Sequence, residues 1–198
     1  MPLRPLSAHR AVLALGSNLG ESESTIERAV VDLREAGVRI LRVSPLYRTA
    51  PVGGPEGQPD YVNAVIEVST ELSPYELLKL CNAVEAAHHR ERLVRWGPRT
   101  LDIDVIDYDG VISEDPVLTL PHPRAQERAF VLVPWAQMDP QARLTVTHRA
   151  EPSGERADEV PEPLSREVVS VAELSRTLVE ADEDAISYMR EMKVPDQP

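Results

Sequence analysis

The spacing of apolar residues switches between strand-like and helix-like along the first two-thirds of the chain. Ala11-Val12-Leu13-Ala14-Leu15-Gly16 is an apolar run that predicts a short buried strand. Ile26, Ala29, Val30 and Leu33 follow at helical spacing behind Ser24-Thr25-Ile26-Glu27, which has the form of a capping box, and Gly37 falls where a helix C-cap belongs. Residues 38–48 carry Val38, Ile40, Leu41, Val43, Leu46 and Tyr47, a strand pattern interrupted at Pro45. Over 61–68 the pattern alternates, with Val62, Ala64, Ile66 and Val68 on one face and Tyr61 and Asn63 on the other. Ser73-Pro74-Tyr75-Glu76 is a second capping box with Pro at the first helical position. The stripe Leu77, Leu80, Cys81, Val84 then predicts a helix ending near residue 89. Residues 100–108 read as a strand, 111–120 as a short strand or hairpin return, and 125–138 as an amphipathic helix. The order β-α-β-β-α-β predicts an α+β fold, a ferredoxin-like α/β sandwich whose antiparallel sheet carries its helices on one face.

Between these elements lie two segments without core-forming capacity. Residues 50–60 hold three Gly and three Pro, and 90–99 is an arginine-rich loop. A third, 150–167, holds three Pro, six acids and two Arg and reads as a flexible linker. Val171, Leu174, Leu178, Ala185, Ile186 and Met189 restore periodicity beyond it, predicting one or two short helices docked on the core. The expected organisation is a catalytic unit over 1–149, an acidic Pro-rich linker over 150–167 and a helical extension over 168–198.

Composition narrows the function classes. Of 198 residues, 33 are acidic and 21 basic, for a net charge of −12. That opposes a general nucleic-acid binder, which needs a basic face, but leaves room for a nucleotide held by metal ions and a local arginine cluster. No apolar run approaches the roughly 18 residues of a membrane span, and Gly16-Ser17-Asn18 interrupts any signal-peptide core. Cys81 is the single cysteine, so no intrachain disulfide or CxxC metal site is expected, and a reducing cytoplasm is the expected compartment.

The chemistry concentrates around Asp102-Ile103-Asp104. On a strand, residues two apart share a face, so Leu101, Ile103 and Val105 can face the core while both carboxylates point outward, their Cα atoms about 7 Å apart. Such a pair suits hard cations such as Mg²⁺, which also take water and phosphate oxygens. Alone, a DxD is often two chance acids on a solvated strand. Here Arg90, Arg92, Arg95 and Arg99 lie immediately upstream, with Trp96-Gly97-Pro98 among them. Guanidinium forks match phosphate oxygens, and cations beside paired carboxylates are what metal-assisted phosphoryl transfer uses. Tyr61 and Asn63, an aromatic plane beside an amide, suit a flat heterocycle with donors and acceptors. The turn Gly16-Ser17-Asn18-Leu19-Gly20 could offer backbone amides to an anion or serve only as a tight β–α turn, and it lacks the Gly-Lys-Ser/Thr of a P-loop. Cys81 fits a buried thiol on its helix stripe, and His88-His89 do not share a face as ligands would.

Five stretches together resemble the 6-hydroxymethyl-7,8-dihydropterin pyrophosphokinases of folate biosynthesis: LALGSNLG at 13–20, SPLYRTAPVG at 44–53, QPDYVNAV at 58–65, RWGPRTLDIDVIDYDG at 95–110 and LPHPRAQERAFVLVPW at 120–135. The resemblance implies transfer of diphosphate from ATP to the hydroxymethyl oxygen of a reduced pterin, with release of AMP. It implies that Asp102 and Asp104 bind two Mg²⁺. Arg90, Arg92 and Arg99 would contact the triphosphate, with His122 and Arg128 also on the ATP side and Glu85 at the adenosine. Arg90 and Arg99 would serve catalysis with the two aspartates. The pterin would lie between Tyr61 and Phe130, with Asn63 and the backbone at Thr49, Ala50 and Val52 reading its polar edge. The expected partners are these two small molecules, with no nucleic acid, membrane or obligatory protein partner. Loops 50–60 and 88–99 would close to exclude water. The segment from Glu85 to Trp96 is one residue shorter than in some members, and Pro123 follows His122 where some carry Tyr.

Three rivals are separable. A ferredoxin-like sensor domain needs neither the DxD nor the arginine loop. An RNA-binding module needs a basic sheet with exposed aromatics, against a net charge of −12 and 4% aromatic residues. A nucleotidyltransferase using the same carboxylates would release pyrophosphate instead of AMP.

Overall fold

The computed structural model describes residues 8–51, 55, 57–88, 99–148, 165–182 and 186–195. Its centre is an antiparallel sheet built from β1 (His9–Ser17), β2 (Arg39–Val43), β3 (Leu46–Thr49), β4 (Tyr61–Thr70), β5 (Asp102–Tyr108) and β10 (Ser187–Arg190). The strand order is β10-β3-β4-β1-β5, and β2 extends the β3 row alongside β4. Pro45 divides that row as its pattern predicts. Across the gap the Ser44 amide donates to the Val65 carbonyl at 2.9 Å, and the Ser44 hydroxyl accepts the Val65 amide at 2.9 Å.

Both sheet faces are covered, not one. Leu13, Leu15, Ala64, Ile66, Val68, Ile103 and Val105 pack against α1 (Ser22–Glu35) and α2 (Pro74–Ala87). Val12, Ala14, Val65 and Ile106 pack on the other side against Val131, Leu132 and Trp135 of α3 (Ala129–Met138). The central strands are therefore apolar at nearly every position, as sheets buried on both faces are. In β5 the register slips between Val12 and Leu13 of β1, a bulge at Ile106. Ile106 keeps the α3 side that alternation from Asp104 gives it, and the bulge turns Tyr108 to the α1/α2 side, breaking strict alternation just past the aspartates.

Local signals explain most element ends. The Ser73 box closes in both directions, with Glu76 N–H donating to the Ser73 hydroxyl and the Ser73 amide to the Glu76 carboxylate at 2.8 Å. The Ser24 box does not form: α1 begins at Ser22, two residues earlier, behind a Glu21 that makes no side-chain cap. Gly37 ends α1 at φ 92°, with its amide on the Arg34 carbonyl and the Val38 amide on that of Leu33, a Schellman closure. The predicted 125–138 helix is two pieces. A 3-10 turn (Ala125–Glu127) stops at an extended Arg128, and α3 starts anew at Ala129. α3 is apolar on most sides, because α4 (Val171–Ala181) covers the side away from the sheet.

Beyond the antiparallel pair β6 (Ser113–Glu114) and β7 (Thr119–Leu120), which matches the hairpin return, the chain departs further from the expected pattern. β8 (Arg143–His148) pairs antiparallel with β9 (Ser165–Ser170), which takes up 165–167 of the expected linker, whose remaining residues, 150–164, lie outside those described, and the second terminal helix is the strand β10. β10 pairs with β3, and Arg190 then reaches α1, donating to Glu23 at 2.6 Å and Glu27 at 2.7 Å.

Candidate active site

On the α3 side of the sheet lies a cavity of about 470 Å³. Its floor is a row across three strands. Asn63 on β4 pairs with Gly16 on β1, and Gly16 pairs with Asp102 on β5, so Asn63 and Asp102 stand two strand spacings, about 10 Å, apart. Gly16 is the gap between them. A Cβ there would come within 3.2 Å of Asn63 Oδ1, so only glycine leaves the floor open without moving that amide. Ala14, two residues back on the same face, keeps the adjoining floor beside Asp104 shallow as well.

The two aspartates stand together on the cavity wall as their spacing predicts, with Ile103 and Val105 turned into the core. Each carboxylate meets a guanidinium: Arg99 contacts Asp102, and Arg128 Nη1 lies 3.2 Å from Asp104 Oδ2. Burial and the neighbouring Asp102 push the Asp104 carboxyl above its ordinary range, against the pull of His122, Arg128 and Arg99. His122 follows the cis Leu120–Pro121 peptide, with its amide on the Ile106 carbonyl at 2.8 Å. Its Nδ1 accepts the Arg124 amide at 3.2 Å, so the neutral ring carries its proton on Nε2, which points toward Asp104 from 3.9 Å. Burial lowers its basicity, Asp104 opposing and Arg128 adding.

At the other end Asn63 Nδ2 donates to Thr49 Oγ1 at 2.9 Å, which fixes the amide's orientation. Tyr61 and Ala50 line the same end, and Phe130 faces in from α3. Arg128 connects the halves: its guanidinium carbon sits 5.4 Å from the Phe130 ring centre while its nitrogen holds Asp104. The break before α3 produces this, since Arg128 is extended and so points its side chain at the sheet.

Of the candidate residues, the structure gathers Thr49, Ala50, Tyr61, Asn63, Arg99, Asp102, Asp104, His122, Arg128 and Phe130 around one cavity. Arg90, Arg92 and Val52 lie outside the described residues, as do 52–54 and 56 of the first loop expected to close and 89–98 of the second. Glu85 is not among the cavity residues. It is buried on α2, and its Oε1 accepts the Ile103 amide at 2.7 Å at the outer edge of β5, behind the DxD. The Gly16–Gly20 turn serves as a fastener. Asn18 donates its amide to the Arg99 carbonyl at 3.0 Å and accepts the Arg99 amide at 2.7 Å, while its Nδ2 reaches the Pro59 carbonyl at 3.1 Å. Arg124, Glu127, Leu178 and Ala181 also line the cavity. Arg124 and Glu127 sit in the LPHPRAQER run that carries the resemblance, whereas nothing in the local pattern marks Leu178. Cys81 is buried, and burial, with Glu85 and Asp104 adding, pushes its thiol up to about 12, which removes it as a nucleophile.

Paired carboxylates facing arginines at one end, and an aromatic–amide slot at the other, define a site for moving phosphoryl groups onto a small flat acceptor. The profile of the 7,8-dihydro-6-hydroxymethylpterin-pyrophosphokinase family matches residues 12–140, and the chain belongs to that family. It is 46% identical over 132 residues to the 2-amino-4-hydroxy-6-hydroxymethyldihydropteridine pyrophosphokinase of Methylorubrum extorquens, covering 66% of this chain and 83% of that one. The Bacillus subtilis protein of the same name is 42% identical over 138 residues, 69% of this chain and 82% of its own. The Mycobacterium leprae protein of that name is 41% identical over 181 residues, 85% of this chain and 92% of its own. The fold is similar to a crystal structure of Plasmodium falciparum HPPK-DHPS A437G with pteroate, with a TM-score of 0.60 at 15% identity over 93% of this chain, which spans about half (49%) of that longer one.

Proposed function

We propose that the family's reaction takes place in this cavity: the β,γ-diphosphate of ATP passes to the hydroxymethyl oxygen of a dihydropterin, and AMP leaves. The observation that carries this reading is the Asn63–Gly16–Asp102 row. It puts a polar anchor for a heterocycle and a carboxylate pair for a polyphosphate on one floor, with no side chain between. A pterin seated between Tyr61 and Phe130, its amide edge on Asn63 and the Thr49–Ala50 backbone, would direct its hydroxymethyl arm over Gly16 toward the aspartates.

For Mg²⁺ the donor chemistry fits, as two carboxylates share one strand face. Among the described residues no group of three or more His, Cys, Asp or Glu gathers, so phosphate oxygens and water would complete the set. Two ions held by Asp102 and Asp104 would neutralise the triphosphate and acidify the attacking hydroxyl. Arg99 and Arg128, now on those carboxylates, are placed to turn to phosphate oxygens, and Nε2–H of His122 is a further donor. Arg90 and Arg92 are assigned to the triphosphate on their motif. Glu85 takes a supporting role, satisfying the Ile103 amide between the two aspartates, in place of the adenosine contact that the resemblance implies. Positioning and charge neutralisation supply the catalysis, and no side-chain base is required.

No described helix is long and apolar enough to cross a membrane. The cytoplasm is the compartment we assign, from the single free thiol and the nucleotide co-substrate. The test is product analysis: with Mg-ATP and the reduced hydroxymethylpterin, AMP and a diphosphorylated pterin should appear in equal amounts. Release of pyrophosphate with AMP joined to the acceptor would make the chain a nucleotidyltransferase instead.

A further inference from the structure

We infer that the C-terminal end of α4 is a wall of the pterin subsite, with Leu178 and Ala181 bounding the space over the heterocycle. The inference rests on the placement of the pterin proposed above. Leu178 and Ala181 line the same cavity as Tyr61, Asn63 and Phe130, yet they lie well past residue 140, where the family match stops. Leu178 and Phe130 are both half-buried against one apolar cluster, built on Val131, Leu132 and Trp135, so the two side chains share a foundation.

α4 is held in place. Ser170 caps it by accepting the Glu173 amide, Val171 is fully buried, and the Val171 amide bonds the Ala142 carbonyl at 3.1 Å. Past the helix, β10 pairs with β3, the strand that supplies Thr49, and Arg190 is bound to two α1 glutamates on the opposite face. The extension thus grips the core on three sides, and the end of α4 is presented to the cavity by a fixed support. Leu178 and Ala181 are apolar and small to medium, the chemistry that covers a flat ring and excludes water from it, while Asp182, the helix C-cap, lines the cavity beside them. A wall of this kind acts on the acceptor and leaves the nucleotide end untouched.

Calorimetric titration can separate these effects. The dihydropterin is titrated in the presence of a non-hydrolysable Mg-ATP analogue, and that analogue is titrated alone, into wild type, Leu178→Ala, Ala181→Phe and Tyr61→Ala. Ala181 is exposed at the helix end and makes no core contact, so Ala181→Phe should keep the wild-type Tm while weakening the pterin at least tenfold. Leu178→Ala should weaken it several-fold, and both should hold the analogue within twofold of wild type. If Tyr61→Ala weakens the pterin but a folded Ala181→Phe binds it normally, the α4 wall is wrong and the subsite stands. If Tyr61→Ala also binds it normally, the pterin lies elsewhere and both readings fall.

Discussion

Removal of the Arg99 guanidinium tests how this site divides binding from chemistry. Arg99 enters β5 with its backbone fixed in both directions by Asn18, at 2.7 and 3.0 Å, so its side chain starts from a rigid root beside Asp102. That side chain is 24% exposed, little enough for a charge on it to act without heavy solvent screening. In the proposed ground-state complex with Mg-ATP the triphosphate would have other cations, Arg128 among them. In the transition state, charge builds on the bridging oxygen as AMP departs, and one preorganised donor there is worth roughly 3–4 kcal/mol, or about 10²–10³ in rate. Arg99→Ala should therefore lower the single-turnover rate by about that factor, and the affinity for a Mg-ATP analogue by much less. Lys should rescue partly, as a point charge cannot reproduce the fork. Asn18→Ala offers a graded control: it keeps the guanidinium but loses two side-chain hydrogen bonds, each worth about 1 kcal/mol, so the rate should fall less than in Arg99→Ala. The assay is rapid-quench measurement of AMP beside equilibrium nucleotide binding. A variant that binds Mg-ATP a hundredfold more weakly yet turns over normally at saturation would refute the argument.

Asp104→Asn should abolish turnover while leaving the Tm equal to or above that of wild type, because it removes a carboxylate whose charge is disfavoured by burial and by Asp102; near-normal activity at saturating Mg²⁺ would remove the metal assignment. Glu85→Ala leaves the Ile103 amide without its acceptor and should cost about 1–3 kcal/mol in chemical denaturation, with Glu85→Gln recovering most of it; equal losses in the two would argue against the hydrogen bond. Glu27 titrates below its ordinary range: burial would raise it, but Arg190 and the Lys193 amide outweigh that. Its contribution to docking the extension is thus full above about pH 4.3, the unfolded value, and fades as pH falls through the lowered native one. Hydrogen exchange of residues 187–190, corrected for intrinsic rates, should show protection steady from pH 7 to 5 and reduced near pH 3; loss by pH 6 would contradict the sign.

Where the elements are set by side chains near in sequence, they are legible in it. The Ser73 box, Gly37, the split at Pro45 and the 61–68 alternation each appear in the structure where the pattern puts them. The Asp102/Asp104 pair and the Tyr61/Asn63 face are equally readable, since both follow from the two-residue repeat of a strand. Elements that depend on distant partners are not. β10 is four residues with exposed Ser187 and Tyr188, a strand only because β3 offers an edge. β9 is largely exposed and is held by β8. α3 looks amphipathic only if one expects solvent on its outer side, where α4 in fact lies. Glu85 shows the limit for the site itself: helical spacing fixes its phase on α2, but only packing shows that its carboxylate ends at β5.

The edge supplied by β10 also sets an order of events during synthesis. β3 ends at residue 49 and β10 begins at 187, so 187 − 49 = 138 further residues must be made before that edge is covered. At about 5–20 residues per second, the nascent chain carries an open strand edge for roughly 7–28 s. The outer cover of α3 comes slightly sooner, once α4 is complete at residue 181. The nascent chain can form the floor of the cavity early, but the β3 edge stays unpaired until residues 187–190 arrive.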